Sequence, residues 1–160
     1  MKSMEKRAPE YYAEKAEQYF YEGYNCSQAI ACTFSEYLDI DENIIKRMAS
    51  PFGGGMGRLR EVCGAVSGIF MILGALEGYD EPDDDRKKKL YEKVQMLAKE
   101  FEDENGSIIC RELLGLDKKK DDPTPERRTQ QYYESRPCPK KIYSAAKILA
   151  EYLSGKEDEV

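Results

Sequence analysis

Sulfur carries the most distinctive chemistry open to this chain. Its 160 residues include five cysteines and no histidine, so no imidazole serves as base, metal ligand or proton shuttle. Four of the cysteines, Cys26, Cys63, Cys110 and Cys138, fall where the sequence predicts a helix to begin. A helix N-terminus presents unpaired N–H groups and about half a positive charge, which stabilises an anion placed there. A thiol in that setting is expected to ionise more readily, and thiolate is the form that binds metals and exchanges disulfides.

Several chemistries are open to such a set. Zinc sites built from cysteine usually draw ligands in pairs two to four residues apart, and no two of these four are that close. The same wide spacing argues against a thioredoxin-like mechanism, which needs two cysteines two residues apart. An iron–sulfur cluster asks less of the spacing, because four helix ends can gather single cysteines, with Cys26, Cys63, Cys110 and Cys138 as metal ligands. Backbone N–H groups of the glycine loop at Gly53, Gly54 and Gly55 would then face the cofactor, and Arg58 and Arg60 would add positive charge ahead of Cys63. Thiol–disulfide exchange is the alternative, with Cys63 as the catalytic nucleophile and a resolving cysteine that spacing does not name. Free cysteine is also among the most buried residue types, which leaves open a metal-free interaction domain whose cysteines merely pack. Cys32 reads as packing, since it lies well round the same helix from Cys26 at about 100° per residue.

The elements that must position these residues are helical. Tyr12, Ala16, Tyr19 and Phe20 recur at helical steps between Glu10 and Gly23, and Asn25 can cap a helix from Cys26 to about Leu38. Asp41 opens a short helix that Ser50-Pro51 breaks, and the loop Phe52 to Arg58 is too glycine-rich for regular structure. An apolar helix runs from about Cys63 to Glu77, with Gly64 and Gly68 on one face where another backbone could approach. A charged amphipathic helix reaches about Asp103 with Leu90, Val94, Leu97 and Phe101 as its buried stripe. Cys110 starts a short turn ending at Gly115, residues 117–129 read as a mobile surface loop, and Pro137-Cys138-Pro139 starts the last helix, followed by a charged tail at 156–160. The expected fold is all-α, one domain over 1–160, a compact bundle of about five to seven helices with a glycine-rich loop before the central apolar helix.

Composition narrows the partners. With 41% hydrophobic and 35% charged residues the chain is globular, and a net charge of −6 disfavours nucleic acid or an anionic membrane surface. The most apolar stretch, Val62 to Leu76, stops short of the roughly 18–20 residues that span a bilayer, so no membrane span is expected. No signal peptide is visible either, which suggests the cytoplasm, where thiols stay reduced. The glycine loop fails the phosphate-loop test, since no Gly-Lys-Ser/Thr follows it. The acidic groups Asp83-Asp84-Asp85 and Asp121-Asp122 match no calcium loop and read as surface. Twelve tyrosines suit amphipathic helix faces or a homodimer interface.

The string Cys63-Gly64-Ala65-Val66-Ser67-Gly68, the upstream Asn25-Cys26-Ser27, the Phe52-Gly53-Gly54-Gly55 loop and two later lone cysteines resemble the four-cysteine family named for the pattern C_GCAxxG_C_C. The resemblance covers about residues 15 to 150. It maps the family's four cysteines onto Cys26, Cys63, Cys110 and Cys138 and leaves Cys32 outside. It implies redox activity with an unidentified redox partner protein in an anaerobic microbe. A similar domain accompanies haem-binding sequence in split-Soret cytochromes, which implies an iron–sulfur role. Haem itself does not carry over, because this chain has neither a CxxCH site nor a histidine.

Overall fold

The computed structural model of the chain describes residues 7–117 and 119–157, the last two without side chains. The first half is set by its caps. Helix α1 spans Pro9–Tyr21 with proline in its first turn, where a missing N–H costs nothing. Helix α2, Cys26–Phe34, is fixed at its start by a reciprocal cap: the Asn25 side chain accepts from the Gln28 N–H, and the Gln28 side chain accepts from the Asn25 N–H. It ends before Leu38 because the chain tightens into a 3-10 turn over Ser35–Tyr37. Helix α3, Glu42–Ala49, begins where Asp41 accepts from the Asn43 and Ile44 N–H groups.

After the glycine loop come α4, Gly64–Glu77, and α5, Asp84–Asn105, the latter capped by Asp83 and stopped by Gly106. The short α6, Cys110–Leu113, precedes a long segment without helix. Helix α7, Gln130–Ser135, is absent from the sequence expectation: it is six residues long and polar, and Thr129 caps it by accepting from the Tyr132 N–H. Helix α8 is Cys138–Glu157. The charged tail expected at 156–160 lies outside the described residues, apart from the backbone of 156 and 157. The class is all-α, with these eight helices and no strand among the described residues, only an isolated antiparallel bridge between Val62 and Ile109. None of the described helices is long and apolar enough to cross a membrane.

Helix α1 packs on α8 and α2, α2 lies along α4, and α5 covers α4 and α8. Ile30 and Phe34 of α2, Val66, Ile69, Ile72 and Leu73 of α4, and Ile142 and Leu149 of α8 are sealed from solvent. Each such side chain contributes about 1.5–3 kcal/mol through burial. On α5 the predicted stripe is graded, with Leu97 and Phe101 buried and Leu90 and Val94 partly so. Glu77 fastens three helices together, accepting from Lys93 of α5 and from the Tyr152 hydroxyl of α8, each at 2.6 Å.

The closest helix contact is the one that matters for the site. A Cβ on Gly68 would stand 2.7 Å from the Ile30 Cβ, and one on Gly64 would stand 2.3 Å from the Cys26 sulfur. Helices α2 and α4 therefore cross at these glycines, which draws the start of α2 up to the start of α4. Gly68→Ala should cost about 1–3 kcal/mol through overpacking. Gly74→Ala on the same helix, with nothing within 4 Å, should instead gain up to about 1 kcal/mol from helix propensity. Urea unfolding of the two variants checks the opposite signs.

Candidate functional site

Each of the four cysteines stands at the start of a helix, and a different local device holds each start. Cys26 opens α2 behind the Asn25 cap, and that cap is anchored outward: Asn25 Nδ2 donates to the Ser50 carbonyl at 2.9 Å, and the Ser27 hydroxyl donates to the Ala49 carbonyl at 2.6 Å. Cys63 is the N-cap residue of α4 and Cys110 the first residue of α6. These two are joined by backbone pairing around the Val62–Ile109 bridge. The Cys63 N–H donates to the Ile108 carbonyl at 2.8 Å, and the Cys110 N–H donates to the Glu61 carbonyl at 2.6 Å. Cys138 opens α8 between two prolines.

All four line one cavity of about 380 Å3. Gly53, Gly54 and Arg58 line it too, together with Gly57 and Arg60. Gly55 sits behind Cys110, where an added Cβ would be 2.7 Å from the Cys110 Cβ. The glycine loop is a left-handed turn: Gly54, Gly55, Met56, Gly57, Arg58 and Arg60 all have φ between 59° and 70°. It closes on itself through Gly57 N–H to Gly53 O at 2.9 Å and Glu61 N–H to Gly55 O at 3.0 Å. Cys32 is not on the cavity wall. It is buried in α2, and burial pushes its thiol up to about 11.

Residues 119–129 are a surface segment without helix, exposed except at Asp121 and Arg128, and those two residues tie it to the cavity. Asp121, with 10% of its side chain exposed, accepts from Arg60 Nε at 2.8 Å and lies 3.9 Å from an Arg58 nitrogen. The Arg58 Nε donates back to the Asp122 carbonyl at 2.6 Å. Further along, Arg128 donates to the carbonyls of Phe20 and Tyr24 and stacks 4.1 Å over the Phe20 ring. The segment thus forms the outer wall of the cavity, where Pro123, Pro125 and Arg128 line it beside Tyr132, Arg136 and Lys141. Sequence reading does not single out Arg128, Arg136 or Lys141, because nothing local marks them as neighbours of Cys26.

The electrostatics correct one expectation. A helix start was expected to ease thiol ionisation, but at three of the four positions dehydration outweighs it. Burial holds Cys63 well above the ordinary thiol range, and a charged Cys26 beside it would add to the effect. Burial likewise raises Cys26 against the pull of the Gly54 and Ser27 N–H groups, and pushes Cys138 up to about 12 against Arg136 and Arg128. Arg60 meets Cys110 rather than Cys63: its Nη1 lies 3.6 Å from the Cys110 sulfur. Among the described residues no group of three or more Cys, Asp or Glu side chains forms a site for a single metal ion. The sulfurs are spread around the cavity wall.

A sequence family described as "Putative redox-active protein (C_GCAxxG_C_C)" matches residues 24–152. The chain belongs to this family. It carries the pattern's cysteine as Cys63 just ahead of Gly64, rather than behind a glycine, and Gly64 is the position where a side chain would collide with the Cys26 sulfur. Neither the curated proteins nor the solved structures compared with the chain gave a significant match.

In this C_GCAxxG_C_C protein the raised thiols have a consequence for stability. Between the ordinary thiol value of 9.0 and about 12 for Cys138, the unfolded chain has lost a proton that the folded chain keeps. Unfolding is therefore favoured progressively as pH rises through that window, and the contribution is complete below it. Urea unfolding of metal-free, reduced protein should show a steeper stability loss from pH 9 upward than the Cys138→Ser variant shows. Equal slopes would refute the burial effect at Cys138.

Proposed function

We propose that Cys26, Cys63, Cys110 and Cys138 hold an iron–sulfur cluster in this cavity and that the protein passes electrons to a redox partner protein. The observation that carries the reading is the convergence of four cysteines, distant in sequence, on one cavity with room for more than an ion. A cluster supplies one-electron chemistry when bound. The wall suits it. The Gly54 and Ser27 N–H groups meet the Cys26 sulfur, the Ala65 N–H meets that of Cys63, and Arg60 donates toward that of Cys110. Hydrogen bonds of this kind to cluster sulfurs set the potential.

The raised thiols define what an occupant of this cavity must supply. A buried thiol resists ionisation in water's absence, and coordination to a metal removes its proton outright. Metal binding would therefore supply the positive charge that the wall gives Cys63 only weakly. Anaerobic reconstitution with iron and sulfide should give visible absorbance and stoichiometric iron. Serine at Cys26, Cys63, Cys110 or Cys138 should abolish or strongly lower it, whereas Cys32→Ser should not. A wild-type protein that takes up no iron sinks the proposal.

A second reading, thiol–disulfide exchange, is supported by the contact between Arg60 and Cys110. It moves the attacking role from Cys63 to Cys110, whose thiolate would open a substrate disulfide, releasing one substrate thiol and forming a mixed disulfide. A second motif cysteine would then attack the Cys110 sulfur, releasing the second substrate thiol and leaving a disulfide within the chain. Titrating thiols before and after a disulfide oxidant tests it: two thiols lost per chain and recovered with reductant support exchange, and five thiols throughout remove it.

A further inference from the structure

The cavity is cationic on an acidic protein. Arg58, Arg60, Arg128, Arg136 and Lys141 line it, with Glu126 as the one carboxylate among the described lining residues, while the chain as a whole carries −6. The arginines are engaged. Arg58 and Arg60 share Asp121, Arg136 pairs with Glu126, and Arg128 is held by two carbonyls and the Phe20 ring. Lys141 differs. It is half-buried, and among the described residues its ammonium has no hydrogen-bond or ion-pair partner. It follows Cys138 by three positions on α8, so the two share a helix face.

We infer that Lys141 helps to set the reduction potential of the site, its unpaired ammonium favouring the form that carries one more electron. The inference rests on the cluster reading above. Four thiolates make the bound group a net anion, and reduction by one electron makes it more negative without forming or breaking a bond to the protein. A positive charge at the cavity wall lowers the free energy of the reduced form more than that of the oxidised form, because attraction grows with the charge it meets. Arg58, Arg60 and Arg136 contribute less to this difference because carboxylates compensate them, whereas Arg128, held by carbonyls and a ring, keeps its charge and acts beside Lys141. Water reaches Lys141, so its effect is screened by salt more than that of a sealed charge.

The experiment compares wild type with Lys141→Met, Lys141→Gln and Lys141→Arg, each reconstituted anaerobically with iron and sulfide. Iron content is measured first, and the potential is then titrated with dithionite through mediators. Equal iron with a tenfold higher oxidised-to-reduced ratio at a fixed potential in the two neutral variants, a shift of about 59 mV to more negative values for one electron, supports the inference. Lys141→Arg should stay close to wild type, and the shift should shrink in 1 M salt, where the screening length is about 3 Å. Equal potentials at equal iron overturn the role of Lys141 and leave the cluster reading standing. A wild type that takes no iron overturns both.

Discussion

The site depends on a short piece of backbone pairing. The strings Glu61-Val62-Cys63 and Ile108-Ile109-Cys110 hydrogen-bond across the Val62–Ile109 bridge, with the N–H of each cysteine committed to a carbonyl of the other string. One donor belongs to the residue that caps α4 and the other to the residue that opens α6. Pairing them therefore does two things at once: it satisfies N–H groups that a helix start leaves open, and it brings together two cysteines separated by the whole of α4 and α5. The glycine crossing of α2 over α4 then adds Cys26, and α8 closes the group with Cys138.

The turn before Cys63 shows what this arrangement costs. Met56, Arg58 and Arg60 are non-glycine residues in the left-handed region, which disfavours each by about 1–2 kcal/mol. The penalty is offset by what the geometry permits. Left-handed backbone turns the Gly54 N–H toward Cys26 and lets the Gly55 backbone pass behind Cys110. It also places the Arg58 and Arg60 side chains on the cavity wall, where Asp121 holds both. Strain gathered next to four converging cysteines belongs to a site that the surrounding packing over-determines. Packing alone would not require it.

Local signals in the sequence were enough for the helix starts. Asn25 with Gln28 fixes α2, Asp41 fixes α3, and Asp83 with Gly106 fixes both ends of α5, because a cap is decided by residues within a turn of it. The all-α class and the grouping of the four motif cysteines apart from Cys32 follow from signals of the same range. Helix α7 escaped because six polar residues carry almost no periodicity, and its stability comes from Phe20, Tyr132 and Tyr133 packing against Arg128. The sign of the thiol shifts escaped for a related reason. A helix start is visible in sequence, whereas dehydration of a sulfur depends on what closes over it, and the chain that closes over these comes from residues 123–142. Arg60 is the sharpest case: it stands three residues before Cys63 in the chain and against Cys110 in space.

Dehydration and positive charge act on the four sulfurs in opposite directions, and their balance limits what the cavity can do. Burial alone would keep Cys26, Cys63 and Cys138 protonated and chemically quiet. The cationic wall alone would make an exposed, reactive thiolate set. Together they disfavour free thiolates, and on the cluster reading four deprotonated sulfurs would be tolerated in this cavity only around a positive core. Asp121 keeps the balance from tipping further: it compensates Arg58 and Arg60, so that the wall is less positive than its residue count suggests. That leaves Arg128 and Lys141, neither of them paired with a carboxylate among the described residues, as the charges whose effect an occupant would feel least diminished.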